Sequence, residues 1–134
     1  ATGKERASLF LVKEGHPSLF FSDATGTPRV ALGVPTVGHP SLVLFDATGK
    51  GRVALSTDKE GESLYFHDAT GKARASLHLS KEGHPSLTFS DATGQDRASL
   101  GTGETETPDG KTITYPESTL MLFGPDGTVL WKAP

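Results

Sequence analysis

Apolar and polar residues alternate with a period of two along most of this chain. Ala7, Leu9 and Leu11 fall on one side, with Arg6, Ser8 and Phe10 on the other, and Leu19 and Phe21 resume the apolar row after a short polar break. Val30, Leu32 and Val34, then Leu42 and Leu44, repeat the pattern, as do Ala75, Leu77 and Leu79, then Leu87 and Phe89. A spacing of two puts like residues on one face of an extended strand. No stretch holds an apolar spacing of three to four for three turns, and Gly and Pro interrupt every unit twice, so helices are not expected.

The alternation is itself periodic. Asp-Ala-Thr-Gly begins at Asp23, Asp46, Asp68 and Asp91, after a clipped copy at Ala1-Thr2-Gly3, with glycines 23, 23, 22 and 23 residues apart. An arginine follows each glycine by three (Arg6, Arg29, Arg52, Arg74, Arg97), and a leucine follows three later (Leu9, Leu32, Leu55, Leu77, Leu100). Such a period marks one supersecondary unit copied in tandem. In Asp-Ala-Thr-Gly the aspartate suits the first position of a type I turn, accepting backbone N–H groups, and the glycine suits a left-handed bulge after it. The second connection is looser: Lys13-Glu14-Gly15-His16-Pro17, Val37-Gly38-His39-Pro40, Glu60-Gly61-Glu62 and Lys81-Glu82-Gly83-His84-Pro85.

Two short turns per unit predict two antiparallel strands per unit, and so an all-β meander of tandem hairpins with roughly ten or eleven strands. A twisted superhelical array, a closed barrel and a parallel solenoid remain as ways to use that pattern. A solenoid would stack aspartate on aspartate and arginine on arginine at about 4.8 Å, a like-charge penalty that hairpins relieve by doubling the spacing. Antiparallel hairpins are therefore expected.

The period breaks after the fifth leucine. Residues 1–100 read as tandem hairpin repeats of 22–23 residues, and 101–134 as a polar insertion followed by an atypical C-terminal capping repeat. The insertion is Gly101-Thr102-Gly103-Glu104-Thr105-Glu106-Thr107-Pro108-Asp109-Gly110; the pattern returns at Ile113 and Tyr115, then Leu120 and Leu122, and finally Val129, Leu130 and Trp131. End repeats of an array are commonly atypical because they cap it.

The D-x-x-G-x-x-R-A-x-L unit, with its closing L-F-G-P-D-G-T-V-L-W-K-A-P, resembles bacterial β-hairpin tandem repeats of functionally uncharacterised secreted or surface proteins. In architecture it is also similar to choline-binding-type cell-wall repeats, the YD repeats of toxin shells and the membrane occupation and recognition nexus repeats. It departs from them in lacking the paired Trp-Tyr of choline cages and the Tyr-Asp signature. The resemblance implies an extracellular or cell-surface setting and transfers no chemistry.

Composition narrows the functional classes. A hydrophobic fraction of 34% over 134 residues gives a thin core, which favours stacked repeats or oligomers over an isolated globule. The net charge of −3 and pI near 5.9 argue against a nucleic-acid surface. No run approaches the ~18 apolar residues of a membrane-spanning helix. With no cysteine, disulfides and thiolate metal sites are excluded.

Candidate chemistry is sparse. Asp-Ala-Thr-Gly resembles the Asp-Thr-Gly of aspartic proteases but carries an inserted alanine and occurs too often for a two-carboxylate site, so turn formation accounts for it. Each aspartate could pair with the arginine of its unit (Asp23 with Arg29, Asp46 with Arg52, Asp68 with Arg74, Asp91 with Arg97). The aspartate row lacks the acidic triplet of a calcium loop. His16, His39 and His84 recur in Gly-His-Pro turns, but one histidine per turn is no ligand pair, and the third unit replaces His-Pro by Glu62-Ser63. No nucleophile–base pair or phosphate loop appears, so neither an enzyme nor a cofactor or metal is expected.

The side opposite the leucines carries Ser8, Ser18, Ser22, Ser41, Ser76, Ser86, Ser90 and Ser99 with Phe10, Phe20 and Phe45, too little charge for a wholly solvated face. Both faces are thus expected to meet something. The leading expectation is a structural subunit that associates with itself through sheet edges and faces into an oligomer or fibre. Its candidate interface is Leu9 and Leu11 at one end of the repeats and Leu120, Leu122, Val129, Leu130 and Trp131 at the other, the first strand receiving a neighbour's last strand. The alternative is a multivalent adhesin or glycan-binding module contacting surface glycan through Phe10, Phe20, Tyr65 and the His-Pro turns.

Overall fold

The computed structural model describes residues 3–11, 15–35, 38–106 and 112–133, with 103–106 and 112–118 described as backbone. Eleven strands follow one another: β1 (Ala7–Leu11), β2 (Pro17–Ser22), β3 (Pro28–Gly33), β4 (Ser41–Phe45), β5 (Gly51–Asp58), β6 (Gly61–His67), β7 (Ala73–Ser80), β8 (Pro85–Ser90), β9 (Asp96–Glu106), β10 (Thr112–Phe123) and β11 (Val129–Ala133). They form one sheet in sequence order, each strand antiparallel to the next, with no helix among the described residues. The array is an open hairpin meander; neither a closed barrel nor a parallel solenoid is formed.

Turn chemistry explains the spacing. In the first repeated turn the Asp23 N–H donates to the Thr27 carbonyl at 2.9 Å and the Gly26 N–H to the Asp23 carbonyl at 3.0 Å, with Gly26 at φ 88°. The other Asp-Ala-Thr-Gly turns repeat these bonds, and so does Gly124–Thr128, where Gly127 is at φ 80°. The glycine is required because a side chain at that φ meets its own backbone. The His-Pro connection at Ser80–His84 follows the same plan, with the Ser80 hydroxyl accepting from the Glu82 and His84 N–H groups at 3.3 Å.

Register places the leucines. Leu9, Leu19, Leu32, Leu42, Leu55, Leu64, Leu77, Leu87, Leu100 and Leu120 stand opposite one another on ten consecutive strands. Two residues away on the same face runs Ala7, Phe21, Val30, Leu44, Val53, Phe66, Ala75, Phe89, Ala98, Leu122 and Trp131. The second row alternates Phe or Leu with Ala or Val as far as Ala98, so large side chains lie beside small ones along the ladder. With Ala133 closing the first row, both rows are apolar on every strand.

The opposite face mixes small and polar groups with scattered large apolar ones. Ser8, Phe20, Ala31, Val43, Ala54, Tyr65, Ser76, Thr88, Ser99 and Met121 form one of its rows, and Phe10, Ser18, Gly33, Ser41, Ser56, Ser63, His78, Ser86, Gly101 and Thr119 the next. Among the described residues Met121 and Phe123 are the only buried large apolar side chains. The polar stretch of the sequence from Gly101 does not form a loop at its start: it extends β9, and Gly103–Glu106 pair with Thr112–Tyr115 of β10.

Candidate functional site

The turn aspartates are engaged in holding their own turns. Asp46 Oδ1 accepts from the Thr48 N–H at 2.8 Å, the Thr48 hydroxyl at 2.6 Å and the Lys50 N–H at 3.2 Å. Asp23, Asp68 and Asp91 repeat the arrangement on their own turns. The threonine hydroxyl is the main reason these carboxyls ionise below the ordinary range, and Asp68, aided by Arg74, is held at about 2. Asp126 is lowered likewise, first by the Thr128 hydroxyl. One oxygen of each repeat carboxylate is thus engaged in folding its own turn, which is the role expected from sequence.

The arginine row has a reason the sequence did not disclose. Phe66 pairs with Ala75 and His67 with Ala73, leaving Arg74 as the extra residue of a β-bulge. Arg29, Arg52 and Arg97 occupy the same position at their own register shifts. From the bulge, Arg74 Nε donates to the Ser90 carbonyl at 2.8 Å, one hairpin further on, and Nη1 lies 3.5 Å from Asp68 Oδ2. Arg6 reaches the Ser22 carbonyl in the same way. The expected ion pairs form within contact distance at Arg52–Asp46 (3.9 Å) and Arg74–Asp68 (3.5 Å); for Asp23 and Asp91 the arginine acts as a nearby charge. Lysines add a second tie between successive turns, Lys50 Nζ to the Ala69 carbonyl at 2.8 Å and Lys72 Nζ to the Ala92 carbonyl at 3.1 Å.

The predicted interface residues sit at the two borders of the described sheet. Leu9 and Leu11 lie on β1 and Leu120, Leu122, Val129, Leu130 and Trp131 on β10 and β11, so one chain does not bring the two groups together. Leu9, Leu120, Leu122 and Trp131 belong to the leucine face, as does Leu11 in its outer row. Leu130 is the extra residue of the last bulge, where earlier units carry arginine, and Val129 pairs with Phe123.

What sequence reasoning missed is how much of the leucine face stays open. Leu32, Leu55, Leu77, Leu100, Phe21, Phe66 and Phe89 are all exposed, Leu55 at 49% and Leu77 at 50% in mid-sheet. A compact monomer of 14.1 kDa exposes roughly 6,700 Å². This sheet exposes 8726 Å², about 2,000 Å² beyond that expectation. Those leucines were visible in the period; their exposure among the described residues became visible only in the structure.

The histidines scatter. His78 Nδ1 meets the Ser63 hydroxyl at 2.9 Å, and His67 lies 6.0 Å from the Tyr65 ring. Among the described residues no three His, Cys, Asp or Glu side chains converge as metal ligands. A cleft of about 370 Å³ opens on the polar face beside His16, Ser18 and Phe20. Phe20 stacks on Phe10 there, centroids 5.4 Å apart and planes 10° from parallel.

No protein-family model matches this sequence, and no curated protein sequence matches it. Among solved structures the sheet is similar to TarM of S. aureus. A crystal structure of a TarM point mutant in complex with Fondaparinux, alpha-GlcNAc-glycerol and UDP gives a TM-score of 0.52 at 12% identity, over 82% of this chain and 21% of that one. A second TarM crystal structure gives 0.51 at 12% identity with the same coverage. The chain spans about a fifth of the TarM chain, and at this identity the likeness is one of fold.

Proposed function

We propose that this chain is a structural assembly subunit, an extracellular or cell-surface β-repeat whose copies associate through the leucine face into an oligomer or fibre. The observation that carries the reading is the uninterrupted apolar face: two adjacent rows, apolar on each of eleven strands, with large side chains left exposed. Exposed apolar patches of that extent on a folded chain mark interaction surfaces. The surface setting rests on the resemblance of the repeats to secreted and surface repeat proteins.

A second copy of the chain is the occupant that fits. At about 4.8 Å per strand and 3.4 Å per residue, two rows across eleven strands cover roughly 700 Å². Standard stable interfaces hide about 800 Å² on each partner, a size the outer row around Leu11 and Leu79 brings within reach. The face is also self-complementary. Its rows repeat, so a two-fold related copy laid face to face about 10 Å away presents Leu and Phe to the gaps above Ala and Val. It carries no charge in either row, which removes the repulsion that a like-on-like contact of charged surfaces would suffer.

Two substitutions on opposite faces test this. Leu55→Asp places a charge in mid-interface, whereas Thr88→Asp places one on the other face. Sedimentation velocity is expected to show the native particle mass for Thr88→Asp and a folded or partly folded chain of single-copy mass for Leu55→Asp. Native assembly by Leu55→Asp at the parent's midpoint concentration would overturn the proposal.

A further inference from the structure

We infer that the cleft on the polar face beside the first hairpin is a binding site for a neutral saccharide ring. It lies opposite the leucine face and stands whether or not copies of the chain associate. Its principal lining is His16, Ser18, Phe20, Gly33, Ser41 and Val43, drawn from the first His-Pro turn and strands β2 to β4.

Three features come together here. The first is a close floor. Gly33 occupies the row position that Ser56 and His78 fill on β5 and β7 and that Gly101 shares on β9, and a Cβ built there would press to 3.0 Å on the Ser18 hydroxyl. The second is an aromatic wall: Phe20 stands where the second and fourth units have Val43 and Thr88 and the third has Tyr65, and here Phe10 stacks on the ring. The third is a polar rim: the Ser18 and Ser41 hydroxyls line the cleft, with the His16 ring beside them.

Those features select the ligand chemistry. A cleft of about 370 Å³ falls within the ordinary range for small-molecule sites, which combine apolar walls with a few placed polar groups. Among the described residues the lining contains no acidic or basic side chain other than histidine, which suits a ligand without net charge. A hydroxyl both donates and accepts, so it matches the Ser18 and Ser41 hydroxyls. A pyranose offers those hydroxyls at its rim and a C–H face to lie on Phe20, a division of polar edge and apolar face that aromatic walls suit. This is the glycan-contact role that Phe10, Phe20 and the His-Pro turns suggested in the sequence, confined to one unit.

Titration of the isotope-labelled chain with maltotriose, cellotriose and chitotriose in turn, followed by amide chemical shifts, decides the matter. At least one trisaccharide is expected to give saturable shifts centred on Ser18, Phe20, Gly33 and Ser41. Gly33→Ser should abolish them by filling the floor, and Phe20→Val, which restores the residue type of the second unit, should weaken binding about tenfold, equivalent to roughly 1.4 kcal/mol, while retaining native spectral dispersion. Absence of saturation with all three sugars overturns the inference. So does binding that Phe20→Val leaves unchanged, or saturation by indole with none by sugar, which would make the cleft a purely apolar pocket.

Discussion

Gly61 and Gly71 both have positive φ, yet replacing them by alanine should have very different costs. Gly71 sits at φ 89° in an Asp-Ala-Thr-Gly turn, and a Cβ added there meets nothing within 4 Å. Gly71→Ala therefore carries only the left-handed strain, about 1–2 kcal/mol. Gly61 opens β6 at φ 134° and is buried, and a Cβ there would run into the carbonyl oxygen of Leu79 on β7. Gly61→Ala must add to similar strain the loss of the ladder contacts around the Gly61–Ser80 pair. At about 1 kcal/mol for each of two backbone bonds, its total comes to about 3–5 kcal/mol. For a chain of this size each kcal/mol lowers the midpoint by roughly 3–5 °C, so shifts of about 3–10 °C for Gly71→Ala and about 9–25 °C for Gly61→Ala are expected. Circular dichroism melts at matched protein concentration measure both, concentration being fixed because association shifts the midpoint. A Gly61→Ala shift no larger than that of Gly71→Ala would refute the close β6–β7 approach.

Other outcomes follow from the same geometry. The five turn aspartates ionise below the ordinary value of 3.8, Asp68 at about 2. A depressed carboxyl contributes stability that is complete above its unfolded value and lost as pH falls through its folded one, so melting temperatures should decline between about pH 4 and pH 2; a flat profile there would contradict the turn bonding. Arg74→Lys keeps the charge but loses the bond from Nε to the Ser90 carbonyl, and should cost about 1 kcal/mol by chemical denaturation, whereas a neutral result would detach the arginine row from hairpin stitching. Because the proposed interface is apolar, sodium sulfate should shift the equilibrium toward the assembled form in sedimentation runs, and dissociation by sulfate would point to a charged contact instead.

Much of this fold is legible in the sequence because register and period reinforce each other. The alternation around Leu9, Leu32, Leu55, Leu77 and Leu100 identifies the strand face, and Asp-Ala-Thr-Gly fixes the hairpins, since a 22–23-residue unit leaves room for little else. The intervening Leu19, Leu42, Leu64 and Leu87 join the same row through strand pairing, which the closing Leu-x-Phe or Leu-x-Leu of each unit already implies. The arginine period was visible without its cause, because the glycine marked the bulge expected at the turn, whereas the extra residue is the arginine three positions on, set by the pairing of two strands. The start of the polar segment from Gly101 read as an insertion because Gly and Glu disfavour strands in isolation; pairing with β10 overrides that preference. Of the cleft, the sequence offered Phe10, Phe20 and the His-Pro turn as contact points but not their arrangement. It depends on Gly33 lying across from Ser18 and on Phe20 turning to Phe10, contacts between residues 10 to 15 positions apart that only the register creates.

Sedimentation equilibrium of the unaltered chain, over a wide concentration range at neutral pH and moderate salt, tests the central claim most directly. The account predicts a particle of two or more copies of the 14.1 kDa chain that dissociates on dilution as a single reversible equilibrium. A folded chain of single-copy mass at every concentration would leave the leucine face bare in solution, and would contradict the claim that it is built to meet its own kind.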